Sequence, residues 1–515
     1  MLIRLLKKLL KFILLLAVVL VAVAWLSHRS LPDNSQRPAS QWLAPNPAGV
    51  LAGYALPLAA AHPGQSGVYP LGDGREAFLA RLALAEAAQY SLDVQYYIWH
   101  DDVSGRLLLQ SLYRAAERGV RVRLLLDDNN TKGMDALLAA FDAHPNAELR
   151  LFNPFMQRDH RLLGYLSDFA RLNRRMHNKS FSADGAVSIV GGRNVGDEYF
   201  DVGSGVLFAD LDVAVTGPAV ADVGADFDRY WASESTYPAS RILPAEGGAP
   251  TFDAQPSSDA ATQSYLASLA QSPFAAHLRA GSLPLVWAPA TLVSDDPAKG
   301  LGQALPQNTV LARIAPVMEA AQSHLTIVSP YFVPTQHGSD WLGRLAQSGK
   351  AVTVLTNSLA ATDVAPVHAG YAKYRKDLLR QGVRLYELKP DATVRAQHNL
   401  PLGGSSGASL HAKTFAVDGR QLFVGSFNMD PRSAALNTEM GLIFDSPALA
   451  QQLTQGLQQH GAARTYAVSL NEQGQLHWQT QEDGQTRRFD TEPQSTAFQR
   501  AVVWLSSLLP IEHLL

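Results

Sequence analysis

Residues Arg175–Asn194 read R-M-H-N-K-S-F-S-A-D-G-A-V-S-I-V-G-G-R-N, and residues Ser409–Asn428 read S-L-H-A-K-T-F-A-V-D-G-R-Q-L-F-V-G-S-F-N. His177, Lys179, Asp184, Gly191 and Asn194 of the first stretch each stand 234 positions before His411, Lys413, Asp418, Gly425 and Asn428 of the second. The first copy predicts two strands, Lys179–Ser182 and Val187–Val190, turning at Asp184-Gly185. Residues i and i+2 of a strand face the same side, so His177 projects with Lys179, and His411 with Lys413.

The repeat extends outward from these stretches. Before the first, the spacing predicts helix over Arg75–Ala88, strand over Ser91–Trp99, helix over Gly105–Arg118, strand over Val120–Leu126, helix over Asp135–His144 and strand over Glu148–Phe152. Before the second, it predicts a helix ending near Gln322, then strand Leu325–Val333, helix Asp340–Gln347, strand Val352–Asn357, helix Ala369–Arg380 and strand Val383–Glu387. Tyr97 and Tyr331 keep the separation of 234. A period this long is a domain duplication rather than a solenoid. Strands alternating with helices predict an α/β fold in which helices cover the sheets.

The expected organisation has six parts: 1–27, 28–74, 75–236, 237–308, 309–460 and 461–515. The two motif-bearing halves are 75–236 and 309–460. Residues 28–74 and 237–308 are rich in Pro, Gly, Ala and Ser and read as a mostly irregular linker and a partly ordered connection. The tail, 461–515, predicts a small β piece and a helix over Ser495–Leu508, packing on the core. Residues 1–27 place Arg4, Lys7, Lys8 and Lys11 before Phe12–Leu26, a run without charge. That pattern predicts a membrane-spanning signal anchor with its N-terminus in the cytoplasm and the rest of the chain outside it. A signal peptide cut after Ala22-Val23-Ala24 is the competing reading, and the interfacial type of Trp25 favours the anchor.

The net charge of −3 lacks the basic excess of a dedicated nucleic-acid binder, and the absence of cysteine removes disulfides, thiolate metal sites and cysteine nucleophiles. If the halves pack about a pseudo-twofold axis, two imidazoles and two ammonium groups meet in one cleft. Lys179, Lys413, Asn194 and Asn428 then make an electropositive cradle for an oxyanion such as phosphate. The two imidazoles suit a nucleophile and a general acid. A metal site is disfavoured, because the lysines repel a cation and no further ligand sits at ligand spacing. Asp184 and Asp418 precede glycine and read equally as turn formers or as catalytic groups.

The doubled H-x-K-x(4)-D with downstream Gly-[Gly/Ser]-x-Asn resembles the phospholipase D superfamily. The flanking passages Gly191–Asp201, Phe208–Val213, Phe227–Trp231, Gly425–Ser433 and Asn437–Glu439 resemble its bacterial cardiolipin synthase branch. The terminal L-P-I-E-H-L-L resembles the end of the C-type members. The resemblance implies two pseudo-symmetric α/β halves forming one shared active site, with no cofactor and no metal. It implies that one of His177 and His411 attacks phosphorus while the other protonates the leaving alcohol, without saying which. It further implies catalytic roles for Lys179, Lys413, Asp184 and Asp418 and substrate contacts from Asn194, Asn428, Gly192 and Ser426. Each histidine is expected to be oriented by an acid of its own half: Glu439 for the second, and Asp212 for the first, with Asp210 as its competitor. The implied activity is a phosphatidyltransferase joining a glycerophospholipid to an alcohol acceptor at the bacterial inner membrane, with the catalytic part periplasmic. Hydrolysis by the same chemistry, a membrane-tethered nuclease or phosphodiesterase, and a non-catalytic lipid-binding scaffold are the alternatives. The near-neutral charge argues against nucleic acid as a partner.

Overall fold

The computed structural model describes residues 2–203, 207–244, 252–255, 257–390, 409–482 and 484–515, with some side chains of residues 2–27 and 457–462 outside the description. Two sheets repeat one order. The first runs Val286–Ala288, Ser66–Leu71, Asp212–Thr216, Val187–Gly191, Ser180–Ala183, Ser91–Tyr96, Arg121–Asp127, Ala147–Phe152 and Thr236–Pro238. The second begins Ala290–Ser294, Met440–Asp445, Gln421–Gly425, Lys413–Val417, His324–Val328, Ala351–Asn357 and Arg384–Leu388, and continues into three strands of the tail. In each, three parallel strands are joined by helical crossovers, and the motif hairpin pairs antiparallel to the first of them. The chain is therefore α/β with two halves of like topology, as the duplicated pattern predicts.

Alternation along the strands sorts the core. Ile189 and Phe423 turn toward the helices of their own halves, whereas Val190, Leu422 and Val424 turn toward the other sheet. Val190, Val213 and Val215 share one buried cluster with Val328, Leu422, Val424 and Leu442, so the sheets pack face to face through a dry seam. That seam holds the two motifs in register.

Several expectations need correction. The segment 28–74 is not mostly irregular: Val50–Ala60 is helical, and Ser66–Leu71 pairs with both Asp212–Thr216 and Val286–Ala288. Its proline content had masked a strand whose Pro70 still keeps sheet register. The connecting segment supplies an edge strand to each sheet, Val286–Ala288 and Ala290–Ser294; its residues 245–251 and 256 lie outside the described ones. The strands expected to reach Trp99 and Val333 end at Tyr96 and Val328, because the chain there leaves the sheet to wrap the cleft. Helices that the local spacing did not predict include Arg161–Leu172, Pro218–Trp231 and Pro447–Arg464. The tail helix spans Ala497–Ser507, closed by a reciprocal capping box between Thr496 and Gln499.

Residues Leu2–Ser27 form one helix. Among the described residues no helix is long and apolar enough to cross a membrane. Part of that helix's side chains falls outside them.

Candidate active site

The hairpins Ser180–Gly191 and Lys413–Gly425 present His177 and His411 just before their first strands, at the edge of the seam. The backbone there is stitched across the halves. His177 N–H donates to Thr438 O at 2.8 Å, and Thr438 N–H donates to Arg175 O at 2.9 Å. His411 N–H donates to Ala209 O at 2.7 Å, and Ser409–Leu410 pairs in parallel with Phe208–Ala209. Each histidine thus sits on its own motif but is held by the other half.

The side chains cross in the same sense. His177 Nδ1 lies 2.8 Å from Glu439 Oε2, and His411 Nδ1 lies 2.6 Å from Asp210 Oδ2. This corrects the expectation that each acid orients the histidine of its own half. It also removes Asp212 from that role. Asp212 Oδ2 accepts from Arg81 Nη2 at 2.7 Å, and both side chains are buried. Asp210 and Asp212 are two apart, but Asp210 precedes the strand Asp212–Thr216 and reaches the cleft, while Asp212 stands inside the sheet. With both Nδ1 atoms engaged by carboxylates, Nε2 is the atom of each ring left for chemistry, that of His411 with Lys413 Nζ 3.3 Å away.

Burial and the surrounding cations set the protonation states. Burial drives His177 well below the ordinary imidazole range, and Lys179, Lys413 and His411 add to the shift. That mutual effect places both motifs in one electrostatic site. His411 is also lowered, by burial and Lys413, but Asp210 opposes the fall. Burial pushes Asp210 up, yet His411, Lys413 and Arg193 hold it below the usual carboxylate range. Glu439 behaves in the opposite way: burial raises it to about 7 against the pull of Lys179. Burial lowers both Lys179 and Lys413, Lys179 the more strongly. Glu439 and Asp210 oppose the fall of both lysines, and the ammonium form of each is the one that complements a phosphate oxygen.

Because Glu439 titrates near neutrality, its effect on pH dependence has a definite sign. Its folded value lies above the ordinary one, so the carboxyl stabilises the fold while protonated, and that contribution fades as pH rises through about 7. Accepting the His177 Nδ1 proton requires the ionised form. The expected result is a kcat/KM that rises with an apparent pKa near 7 on its acid limb. Glu439→Gln removes that limb and lowers activity by about 10²-fold. A wild-type acid limb that survives unchanged in Glu439→Gln overturns the assignment.

The remaining expected site residues divide. Lys179 Nζ donates to His177 O at 2.6 Å, and Lys413 Nζ donates to His411 O. Asn428 is buried, with its Oδ1 without a hydrogen-bond partner. Asn194 is already occupied: its Oδ1 accepts from Ile98 N at 3.1 Å and its Nδ2 donates to Tyr199 Oη at 2.9 Å. Ser426 is fully buried and donates to Glu439 Oε2 at 2.5 Å, so it supports the acid instead of touching a substrate. Gly192, its counterpart, contributes by lacking a side chain, since a Cβ there would stand 2.2 Å from Asp210 Oδ1. The unequal pair Gly192 and Ser426 makes room for a short acid in one half and buttresses a longer one in the other.

Asp184 and Asp418 are not in the cleft. They close the far ends of the hairpins with φ of 51° and 53°. Asp184 accepts from the backbone N–H groups of Gln89, Tyr90 and Ser91, with Tyr90 at 2.8 Å. Asp418 accepts from those of Gln322, Ser323 and His324, each at 2.8 Å. Burial works against the Asp418 carboxylate, but these three donors prevail and hold it at about 2. Their expected catalytic role is therefore corrected to a structural one: each pins the hairpin to the strand beside it.

Three rings escaped the sequence reading. Tyr97 meets His177 edge-on with centroids 4.9 Å apart, Tyr199 meets His411 edge-on at 5.1 Å, and Phe208 stacks on His411 at 5.1 Å. The separation of 234 between Tyr97 and Tyr331 was the available signal for the first; nothing local marks the others. At the rim, ligand-type atoms of His100, Asp102 and Glu198 lie within 4.8 Å of one another. They are hydrogen-bonded into the helix cap and backbone of that corner and touch neither imidazole.

Comparison with known proteins places this geometry. The family model described as cardiolipin synthase, PLD-like domain, matches residues 82–231 and 314–460, one match per half. The chain is 50% identical over 470 residues to cardiolipin synthase C of Escherichia coli (strain K12), covering 90% of this chain and 99% of that one. It is 31% identical over 464 residues to an uncharacterized protein of Helicobacter pylori (strain ATCC 700392 / 26695), covering 88% and 90%. Among solved structures, the phosphatidylserine synthase of Haemophilus influenzae Rd KW20 superposes with a TM-score of 0.56 at 16% identity, over 87% of this chain and 95% of that one. That likeness speaks to the fold alone.

Proposed function

Because the chain belongs to the cardiolipin synthase family of phospholipase D-like proteins, we propose that it is a phosphatidyltransferase making cardiolipin from a glycerophospholipid donor and a glycerol-type alcohol acceptor. The observation that carries the reading is the crossed pair of buried imidazole–carboxylate contacts beside two buried lysines. The reaction is two displacements at one phosphorus. One imidazole Nε2 forms an N–P bond as the P–O bond to the leaving alcohol breaks, and the second imidazole gives that oxygen its proton. The acceptor hydroxyl then surrenders its proton to the second imidazole and forms a new P–O bond as N–P breaks. Lys179, Lys413 and Asn428 offset the charge on the phosphate oxygens throughout.

The unequal surroundings of the two imidazoles support a division of roles. His177, held most firmly neutral, is the nucleophile. His411, whose Asp210 partner stays ionised, is the better holder of a proton and serves as the general acid. The rings of Tyr97, Tyr199 and Phe208 cover the imidazoles and exclude water, which supports transfer to an alcohol over hydrolysis.

The membrane supplies the donor. We read Leu2–Ser27 as a single-pass anchor of the bacterial inner membrane, with the catalytic halves on the periplasmic side. Its 26 residues reach about 39 Å at the α-helical rise. Phe12, Leu14, Leu15 and Val18 stand exposed along it, and the cations precede them.

The test is lipid mass spectrometry of membranes from cells lacking every other cardiolipin synthase. Expression of this chain is expected to restore cardiolipin, and its His411→Ala variant to leave it absent. Accumulation of phosphatidic acid without cardiolipin would establish hydrolysis instead, and an unchanged lipid profile would reject both.

A further inference from the structure

Two helices outside the catalytic core turn apolar faces to solvent. On Arg161–Leu172, the side chains of Leu162, Leu166 and Phe169 are exposed, Leu162 at 80%. Their spacing of four and three residues puts them on one stripe. On the tail helix Ala497–Ser507 and the turn after it, Phe498, Leu505, Leu508 and Leu509 form a second stripe bordered by Trp504. Large apolar side chains exposed in groups, rather than singly, mark a surface that meets something.

Both stripes lie at the cleft. From the first helix, Tyr165 Oη donates to Asn129 Oδ1 at 2.8 Å. Asn129 Nδ2 in turn lies 3.5 Å from Tyr97 Oη, and Tyr97 covers His177. The tail helix packs through Val503 on Leu359 and Ala369. The loop following Leu359 carries Asp363, which accepts the Tyr331 hydroxyl at 2.7 Å beside the cleft. Arg432, just past the second motif, ties the ends together: its Nη1 donates to Asn173 O, just past the first helix, and its Nε donates to Leu514 O, both at 3.0 Å. The two apolar stripes therefore flank the mouth of one site, one from the first half and one from the tail.

We propose that this rim is a membrane-docking face: the Arg161–Leu172 and Ala497–Ser507 helices lie in the interface of a phospholipid bilayer and set the cleft mouth against it. The inference rests on the lipid-acting reading of the cleft, and three observations select a lipid surface as the occupant. The N-terminal helix Leu2–Ser27, with its exposed apolar residues, packs against Arg161–Leu172, so whatever surrounds one continues onto the other. A protein covering both stripes would close the mouth between them, whereas a bilayer there delivers the substrate. The residues are of the interfacial kind, with Phe169, Phe498 and Trp504 among leucines on amphipathic helices, whose apolar faces sink about 5–10 Å into the headgroup boundary. The anchor alone tethers the chain; the two rim helices orient it.

The chain has no cysteine, which makes the test direct. Leu166→Cys, Leu505→Cys and, as a control far out on an exposed tail turn, Glu472→Cys are each introduced into the full chain. Each is labelled with an environment-sensitive fluorophore and reconstituted into vesicles of phosphatidylglycerol and phosphatidylcholine with brominated acyl chains. Labels at 166 and 505 are expected to shift to the blue and lose most of their intensity, and the label at 472 to do neither. The same readings are expected on the His411→Ala background, so docking is scored independently of whether the catalytic reading stands. Absence of bromine quenching at 166 or at 505 overturns the proposal. A blue shift without quenching would assign the face to a second copy of this chain and would overturn it as well.

Discussion

His177→Ala and His411→Ala are each expected to lower transfer from a natural phospholipid by about 10⁴-fold or more, with the fold retained. Each ring is one half of a single proton-and-phosphoryl relay, so the double variant is expected to be no worse than either single one. The two single variants separate when the leaving group no longer needs a proton. With a donor carrying an aryl alcohol of low pKa, His411→Ala recovers a burst of aryl alcohol because His177 still attacks; His177→Ala recovers nothing. The physical basis is the asymmetry of the pair. His177 is pushed furthest toward the neutral form by burial and the two lysines, while His411 keeps the ionised Asp210 behind it. Rescue of His177→Ala alone by the activated donor would exchange the two roles. Near-normal activity of either variant with natural lipid would sink the shared site altogether.

The second large effect separates two acids that stand two residues apart. Asp210→Asn is expected to lower kcat by about 10³-fold, since an amide facing Nδ1 no longer holds the tautomer that leaves Nε2 poised. Its thermal stability is expected to change little. Asp212→Ala is expected to do the reverse. It strands the Arg81 guanidinium, which is buried and bonded to Asp212 at 2.7 Å. Loss of one member of such a pair removes about 3–5 kcal/mol of stability, because the remaining charge is left buried alone. The protein that still folds is expected to turn over with near-normal kcat. Thermal melts and active-site-normalised kinetics on both variants check the pair; a catalytic loss confined to Asp212→Ala would restore the assignment made from the sequence.

That reversal shows where sequence reasoning ends. The α/β class, the duplication and the order of the central strands followed from local periodicity, because strand alternation and helix spacing are written in neighbouring residues. His177 with Lys179, and His411 with Lys413, followed from the same rule. The strand Ser66–Leu71 did not, because its pairing partners lie far along the chain (Ser66 faces Ala288, 222 positions on, and Gly67 faces Thr216, 149 positions on) and its own composition suggests a linker. The orienting acids failed for a related reason. The resemblance was carried over as if each half completes its own site, and the insertion after Asn194 breaks the constant separation, so that it does not single out Asp210 from Asp212. Ser426 looked like a ligand for phosphate because its neighbours were expected to be; only packing revealed that its hydroxyl is spent on Glu439.

The reaction type was legible in the chain: two identically spaced His-Lys motifs, duplicated with their strands, specify a paired imidazole–ammonium site for a phosphodiester. Who serves whom within that site was settled by packing. The sheets meet face to face, so the carboxylate within reach of each imidazole comes from the opposite half, His177 with Glu439 and His411 with Asp210. Asp184 and Asp418 are drawn away to pin the hairpins. Strand periodicity says which way a side chain points, and the packing of two sheets says what it finds there.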